Sequence, residues 1–313
     1  MFCFGEKIGE MITFFTTAKA FKGHDGMIQR NALASWKVLH PDVEVILFGD
    51  DEGAREVCAE LGLWHEPHVE RHESGTKCLN YMFARAQQIS RHPYFCFANC
   101  DILLMQDFWK AFEAARAWKR QFLLVAQRWD TDIAQPIDFS DPGWASALRR
   151  LAVSSGHQQD EFWIDVFLFG RGLYLDMPAL MVGHCYWDNW MIWKALKEKT
   201  PVIDGTPFIV PVHQNHGYSE ASRRVKGVPN DPMSLVNLER IGGLENIRHI
   251  KSATHVLGQS GRIYWSARRY TRPVLQKMGQ IAVYKVWLPV WHFVLGATRP
   301  LRSVLGLRSK KSV

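Results

Sequence analysis

The chain has 313 residues, 47% of them apolar and 22% charged, which suits one large packed domain and argues against wholesale disorder. Nowhere do roughly 18 uncharged apolar residues follow one another, and the start, MFCFGEKIGEMITFF, lacks a basic leader and cleavage site, so neither a simple membrane span nor a signal peptide is expected. The formal net charge of +7 is unevenly placed: of 38 Lys and Arg, 11 lie between Arg262 and Val313 with no acidic residue among them, leaving 27 against 31 acidic residues elsewhere.

The first half alternates regularly. A strand-like run at Ile12–Thr17 leads to a helix on which Ile28, Ala32, Trp36 and Leu39 recur, stopped by His40-Pro41. The strand Val43–Asp50 follows, then the helix GAREVCAELG, with Gly62 at its C-terminal end. A third helix is predicted from near Thr76, with Leu79, Met82, Phe83, Ala86 and Ile89 on one face. The strand from Tyr94, the helix Phe108–Trp118 and the strand FLLVAQRW from Phe122 complete the series. Strands separated by helices of this length imply βαβ units and a largely parallel sheet, with runs such as VEVILF buried on both faces. After about Asp130 the rhythm loosens: a polar stretch at Asp138–Gly143, a helix, the strand WIDVFLFG, the Trp-rich helix YWDNWMIWKAL, and the strand-like IVPV before HQNHGYS. The predicted organisation is an α/β domain over residues 1–260, with a nucleotide-binding half to about 130 and an acceptor half beyond, then a basic aromatic tail over 261–313. The six cysteines show no paired metal spacing and are expected to be reduced thiols, most of them small buried hydrophobes.

Open parallel sheets bind ligands where strands end. That directs attention to Thr16 and Thr17 after the first strand, Gly49-Asp50-Asp51 after the second, and Asn99-Cys100-Asp101 after the strand from Tyr94. No GxGxxG, GxxxxGK[ST] or GxSxG is present, which argues against dinucleotide dehydrogenases, P-loop enzymes and α/β-hydrolases. The segment GTKCLNYMFARAQQISRHPYFCFANCDILL, Gly75–Leu104, resembles the glycosyltransferase-A fold, especially its family 2-like branch. There a basic residue and an Asn open a helix that leads to a strand ending in Asp-X-Asp. Lys77 and Asn80 match the first feature, and Asn99-Cys100-Asp101 matches the second except that Asn replaces the first Asp.

The resemblance implies a nucleotide-sugar donor, with Thr16, Thr17, Asp50, Lys77, Asn80, Asn99 and Asp101 around it. It also implies Mn2+ or Mg2+ on Asp101, bridging the diphosphate. A late histidine is often a further metal ligand in such proteins: His216 is the first candidate and His213 the second. An acidic residue on a helix beside the acceptor serves as base in an inverting transfer. Asp188 matches it, with Asp165 as rival. Trp187 and Trp190 suit the apolar faces of an acceptor sugar. Competing accounts stay open: Asp101 as a turn cap, Lys77 as a solvated lysine, and Asp188 as an N-cap beside core tryptophans. A non-catalytic nucleotide- or polyanion-binding protein and a sugar nucleotidyltransferase are the alternative functions. The tail, with aromatic residues among its arginines and lysines, suits an anionic membrane surface on the cytoplasmic side and thus a lipid-linked acceptor. Single-stranded nucleic acid or packing on the domain are the other readings of the tail.

Overall fold

The computed structural model describes residues 11–216, 229 and 231–266. In the strand Ile12–Thr17 (β1), Ile12 and Phe14 point to one side and Phe15 to the other, and every one is buried. The same division recurs in Tyr94–Ala98 (β4), where Tyr94 and Cys96 oppose Phe95 and Phe97. Such runs require cover on both faces, and helices supply it. Helices Gly23–Lys37 (α1), Ala54–Leu61 (α2) and Gln106–Trp118 (α4) pack through Trp36, Val57, Phe108 and Phe112 on one side. Helices Leu79–Ile89 (α3) and Trp187–Lys197 (α6) pack through Phe83, Trp187 and Met191 on the other.

The remaining strands are Glu44–Phe48 (β2), Trp64–Glu66 (β3), Ile102–Leu103 (β5), Leu123–Gln127 (β6), Trp129–Thr131 (β7), His157–Gln158 (β8), Ile164–Gly170 (β9), Val202–Asp204 (β10), Val212–Gln214 (β11), His255–Leu257 (β12) and Ile263–Trp265 (β13). Helices Trp144–Ser155 (α5) and Pro232–Arg240 (α7) complete the described set. The central sheet has nine strands in the order β13-β12-β10-β6-β9-β4-β1-β2-β3. Seven run the same way; β9 and the edge strand β13 are antiparallel to their neighbours. This mostly parallel, helix-covered sheet is the α/β architecture that the sequence and its resemblance to the glycosyltransferase-A fold lead one to expect. Strands β5, β11, β7 and β8 form a second sheet of four, backed by α5 through Leu148 and Ala152.

Several boundaries differ from expectation for local reasons. The run FLLVAQRW is not one strand. It bulges between Val125 and Gln127 and breaks at Arg128, so that Trp129–Thr131 crosses into the small sheet. Helix α3 starts at Leu79 rather than near Thr76, because Lys77 and Cys78 remain extended and bridge to Arg71 and Met181. Gly62 does end α2, in the left-handed conformation that glycine adopts without penalty. Helix α7 starts on Pro232, and the Asp231 carboxylate caps it by accepting from the Met233 and Ser234 amides. The fold runs to Ser266, and β13 thus takes up the first residues of the expected tail, leaving Tyr264 and Trp265 exposed at the sheet edge. The rest of the basic tail lies outside the described residues. The five cysteines described are free thiols, four of them buried. Among the described residues no helix is long and apolar enough to cross a membrane.

Candidate functional site

Strand β4 ends at Ala98, and the chain turns through Asn99-Cys100-Asp101 into β5, the Ile102 amide donating to Asn99 O at 3.1 Å. Strand β11 pairs with β5 on one side and β7 on the other, with His213 opposite both Ile102 and Asp130. The small sheet thus carries His213 to the rim where β4 ends. Asp101 Oδ2 lies 3.7 Å from His213 Nε2 and 3.3 Å from His216 Nε2. One ligand atom from each of these three residues falls within 4.8 Å of the others. The other oxygen, Asp101 Oδ1, is buried and without a hydrogen-bond partner among the described residues. Burial opposes ionisation of Asp101, but His213, His216 and Arg128 outweigh it and hold its carboxyl down at about 2. Burial also disfavours the His213 cation, yet Asp101 and Asp130 raise its pKa.

The cluster is braced from below. Gln214 is fully buried; its backbone amide and its side-chain amide both donate to Asp101 O at 3.1 Å. Its side chain also donates to Ile28 O and accepts from Asn31, tying the rim to α1. Beyond Asp101 lies a second polar layer. Arg128, at the break between β6 and β7, donates through Nε to Asp130 Oδ1 at 2.8 Å and through NH1 to Asp165 Oδ2 at 2.6 Å. Its guanidinium sits 4.8 Å from the ring of Trp163, which is 45% exposed. Asp165 is the second residue of β9. Because β9 runs against β4, its beginning meets the end of β4, and Asp165 Oδ1 accepts from Asn99 Nδ2 at 2.5 Å. An aspartate at position 99 would set two carboxylates against each other there, and the amide avoids that conflict.

Asp188 stands in the first turn of α6. The residue that launches this helix, Tyr186, has φ 84°, a left-handed conformation uncommon for a residue with a side chain. Burial raises the Asp188 carboxyl to about 7, and the nearby negative charge of Asp165 acts in the same direction. Asp188 does not cap the helix, since Tyr186 occupies that position and no side chain bonds there.

The structure distributes the other expected residues unevenly. Thr17 reaches the rim, its hydroxyl donating to Phe48 O at 2.8 Å, whereas Thr16 is fully buried behind it. Asp50 is exposed and paired with Arg71 at 3.1 Å. Lys77 is neither solvated nor part of a helix. Its ammonium is buried against Ala18 O at 2.6 Å and the Asp51 carboxylate, and burial lowers its pKa while Asp51 works against that. Asn80 donates to Glu70 at 3.2 Å. Trp187 and Trp190 require correction as acceptor platforms. Each is only 4% exposed, and their rings pack on Phe97, Phe167 and Tyr174, because the helical spacing that put them on one face turned that face to the sheet. The site residues not singled out from sequence are Arg128, Asp130, Trp163 and Gln214. Only the run Gln-Arg-Trp-Asp after an apolar strand hinted at the first two, and it read as the strand's own end.

No family model matches the sequence, and no curated protein matches it. Among solved structures the chain is similar to S. aureus TarS 1-349 in complex with UDP-GlcNAc, at 10% identity and TM-score 0.46, covering 68% of this chain and 60% of that one. It thus spans less than two thirds of that protein's length. It is also similar to glucosyl-3-phosphoglycerate synthase from Mycobacterium tuberculosis in complex with Mg2+ and uridine diphosphate, at 12% identity and TM-score 0.45, covering 75% and 80%. A structure of that synthase with Mn2+, uridine diphosphate and phosphoglyceric acid gives 12% identity and TM-score 0.44 over the same shares. At such identities the side chains of a site are free to differ, and what this site does rests on its own residues.

Proposed function

We propose that this chain is a glycosyltransferase that moves a sugar from a nucleotide-sugar donor to a glycan or lipid-linked acceptor, with a divalent cation on Asp101, His213 and His216. The observation that supports it is the convergence of these three residues at the mouth of the sheet, with Asp101 Oδ1 enclosed and without a hydrogen-bond partner among the described residues. One carboxylate and two imidazoles suit Mn2+ better than Mg2+, which favours an all-oxygen shell. A cation held there would offset the charge that builds on a departing diphosphate.

The remaining roles belong to the protein's own groups. Asp188, its carboxyl raised to about 7, takes the proton of the acceptor hydroxyl as that oxygen attacks the anomeric carbon and the nucleoside diphosphate leaves. The anomeric configuration inverts. Asp165 is not the base, since Arg128 and Asn99 occupy both of its oxygens. Trp163 supplies the ring for an apolar sugar face that the buried Trp187 and Trp190 cannot offer. The basic composition beyond Ser266 supports attachment to an anionic membrane surface, where a lipid-linked acceptor resides.

Thermal stabilisation by UDP or GDP, with and without Mn2+, tests the donor and metal readings together. Stabilisation that needs Mn2+ and is lost in Asp101→Ala is expected. A melting temperature unmoved by any nucleoside diphosphate sinks the proposal.

A further inference from the structure

Helix α7 grips the chain just ahead of Asp188. Between β9 and α6, Met181–Cys185 contains no helix and a single bridging residue, so a backbone ladder does not set its path. Its polar groups turn to α7 instead. Asn237 is fully buried and commits its whole side-chain amide to this segment. Its Oδ1 accepts from the Met181 amide at 2.8 Å, and its Nδ2 donates to Met181 O and to Cys185 O, each at 3.1 Å. One turn earlier, the equally buried Ser234 hydroxyl accepts from the Cys185 amide at 2.8 Å and donates to Asp231. The other Asp231 oxygen lies 2.9 Å from His184 Nδ1.

Both ends of the segment are thereby fixed, and Cys185 is held by its N–H and its C=O at once. Tyr186 follows directly in its left-handed conformation, and its carbonyl accepts from the Trp190 amide at 3.0 Å as α6 begins. A residue with a side chain keeps φ 84° only where its surroundings over-determine it. On the opposite flank the Val182 amide donates to Lys77 O at 3.2 Å and Met181 bridges to Cys78. Those contacts hold the first half of the segment, and the contacts of Ser234 and Asn237 reach the Cys185 end. Asp188 stands two residues beyond Tyr186, so a rotation of the peptide at Cys185 swings the start of α6 and carries the carboxylate with it.

We propose that Asn237 is a positioning residue for the candidate base: with Ser234 it fixes the peptide at Cys185, which sets the turn at Tyr186 and the place of Asp188. This rests on the reading of Asp188 as the base. Asn237 acts through the backbone and has no contact with reacting atoms to make.

The test follows the Asp188 carboxyl itself, by carbon-13 NMR of the full chain labelled at aspartate and titrated from about pH 4 to about pH 9. The Asp188 signal is identified by its loss in Asp188→Asn. A midpoint of about 7 is expected in the parent. Asn237→Leu keeps the volume and removes all three contacts; its midpoint is expected to fall by about one pH unit or more, because a carboxyl released from its place meets more water. Leu148→Ala, in the core behind the small sheet, controls for lost stability and should keep the parent's midpoint. A fall of the same size in Leu148→Ala would mark general loosening and refute the role. A folded Asn237→Leu with the parent's midpoint overturns the positioning role and leaves the base reading standing. A parent midpoint of about 4 overturns both. Should Asn237→Leu not fold, Ser234→Ala, which removes only the hydroxyl that meets Cys185 and Asp231, decides by the same titration. A lowered midpoint there supports the proposal, and the parent's value refutes it.

Discussion

Asn99 and Asp165 meet at the rim of the sheet, amide nitrogen on carboxylate oxygen at 2.5 Å. The contact explains why an amide stands where the glycosyltransferase-A pattern carries an acid. It also makes Asn99→Asp a destabilising change, although it completes the Asp-X-Asp of that pattern. Two carboxylates in contact raise the pKa of one of them, so folding loses stability as pH rises above the unfolded carboxyl value. We expect a loss of roughly 1–3 kcal/mol at neutral pH that shrinks near pH ~4. Thermal melts of both chains across that range measure it, and a pH-independent difference would contradict it.

Asp188 shifts the other way from Asp101, from 3.8 to about 7, because burial disfavours its charge. Between those values the folded chain retains a proton that the unfolded chain has released. The residue therefore favours folding at low pH, and that contribution fades as pH climbs toward 7. Asp188→Asn is expected to flatten this slope and to be more stable than the parent above neutrality, by about 1–3 kcal/mol. Its transfer rate should fall by about 10²- to 10⁴-fold with nucleotide binding intact. In the parent, turnover should rise with pH through about 7, as the carboxyl ionises. Denaturation and rate profiles on the same two proteins check both halves.

Trp187 and Trp163 separate packing from recognition. Trp187→Ala empties a core position and is expected to cost about 3–5 kcal/mol in unfolding free energy. Trp163→Ala removes a half-exposed ring and should cost under about 1 kcal/mol. It should raise the acceptor KM and leave donor binding unchanged. Equal acceptor KM values in parent and Trp163→Ala would remove that ring from the acceptor site.

For the basic tail, the comparison must cut after Ser266. A cut at Gly261 would also remove β13 and expose the edge of β12, mixing a folding defect with a binding one. The full chain is expected to float with vesicles containing anionic lipid, and the chain ending at Ser266 to stay in solution. Equal flotation of the two would show that the tail is not the membrane contact.

Much of this fold was legible because its signals are local. Strands apolar on both alternating sets, helices of similar length between them, and a glycine after α2 each record a short-range constraint. Asp101 was legible as a carboxylate after a strand, and His213 and His216 as a pair in a polar loop. What escaped reading depends on pairing between segments distant in sequence. The exit of Trp129–Thr131 into a second sheet and the register that sets His213 against Asp130 leave no trace in either segment alone. Trp187 and Trp190 misled for a related reason: periodicity shows that two rings share a helix face, but not whether sheet or solvent meets it.

The reversal of β9 bears on how such a site could change over generations. A parallel strand presents only its exit loop to this rim, but β9 presents its entrance, the short connection from Gln159 to Trp163. Residues there can lengthen, shorten or be exchanged upstream of the ladder, leaving the pairings of Val166 and Phe167 with β4 undisturbed. The specificity of the rim and the integrity of the sheet are thereby uncoupled, and related chains should diverge more freely in residues 160–163 than in Gln159, which holds Asp130, or in the Asp165 that follows.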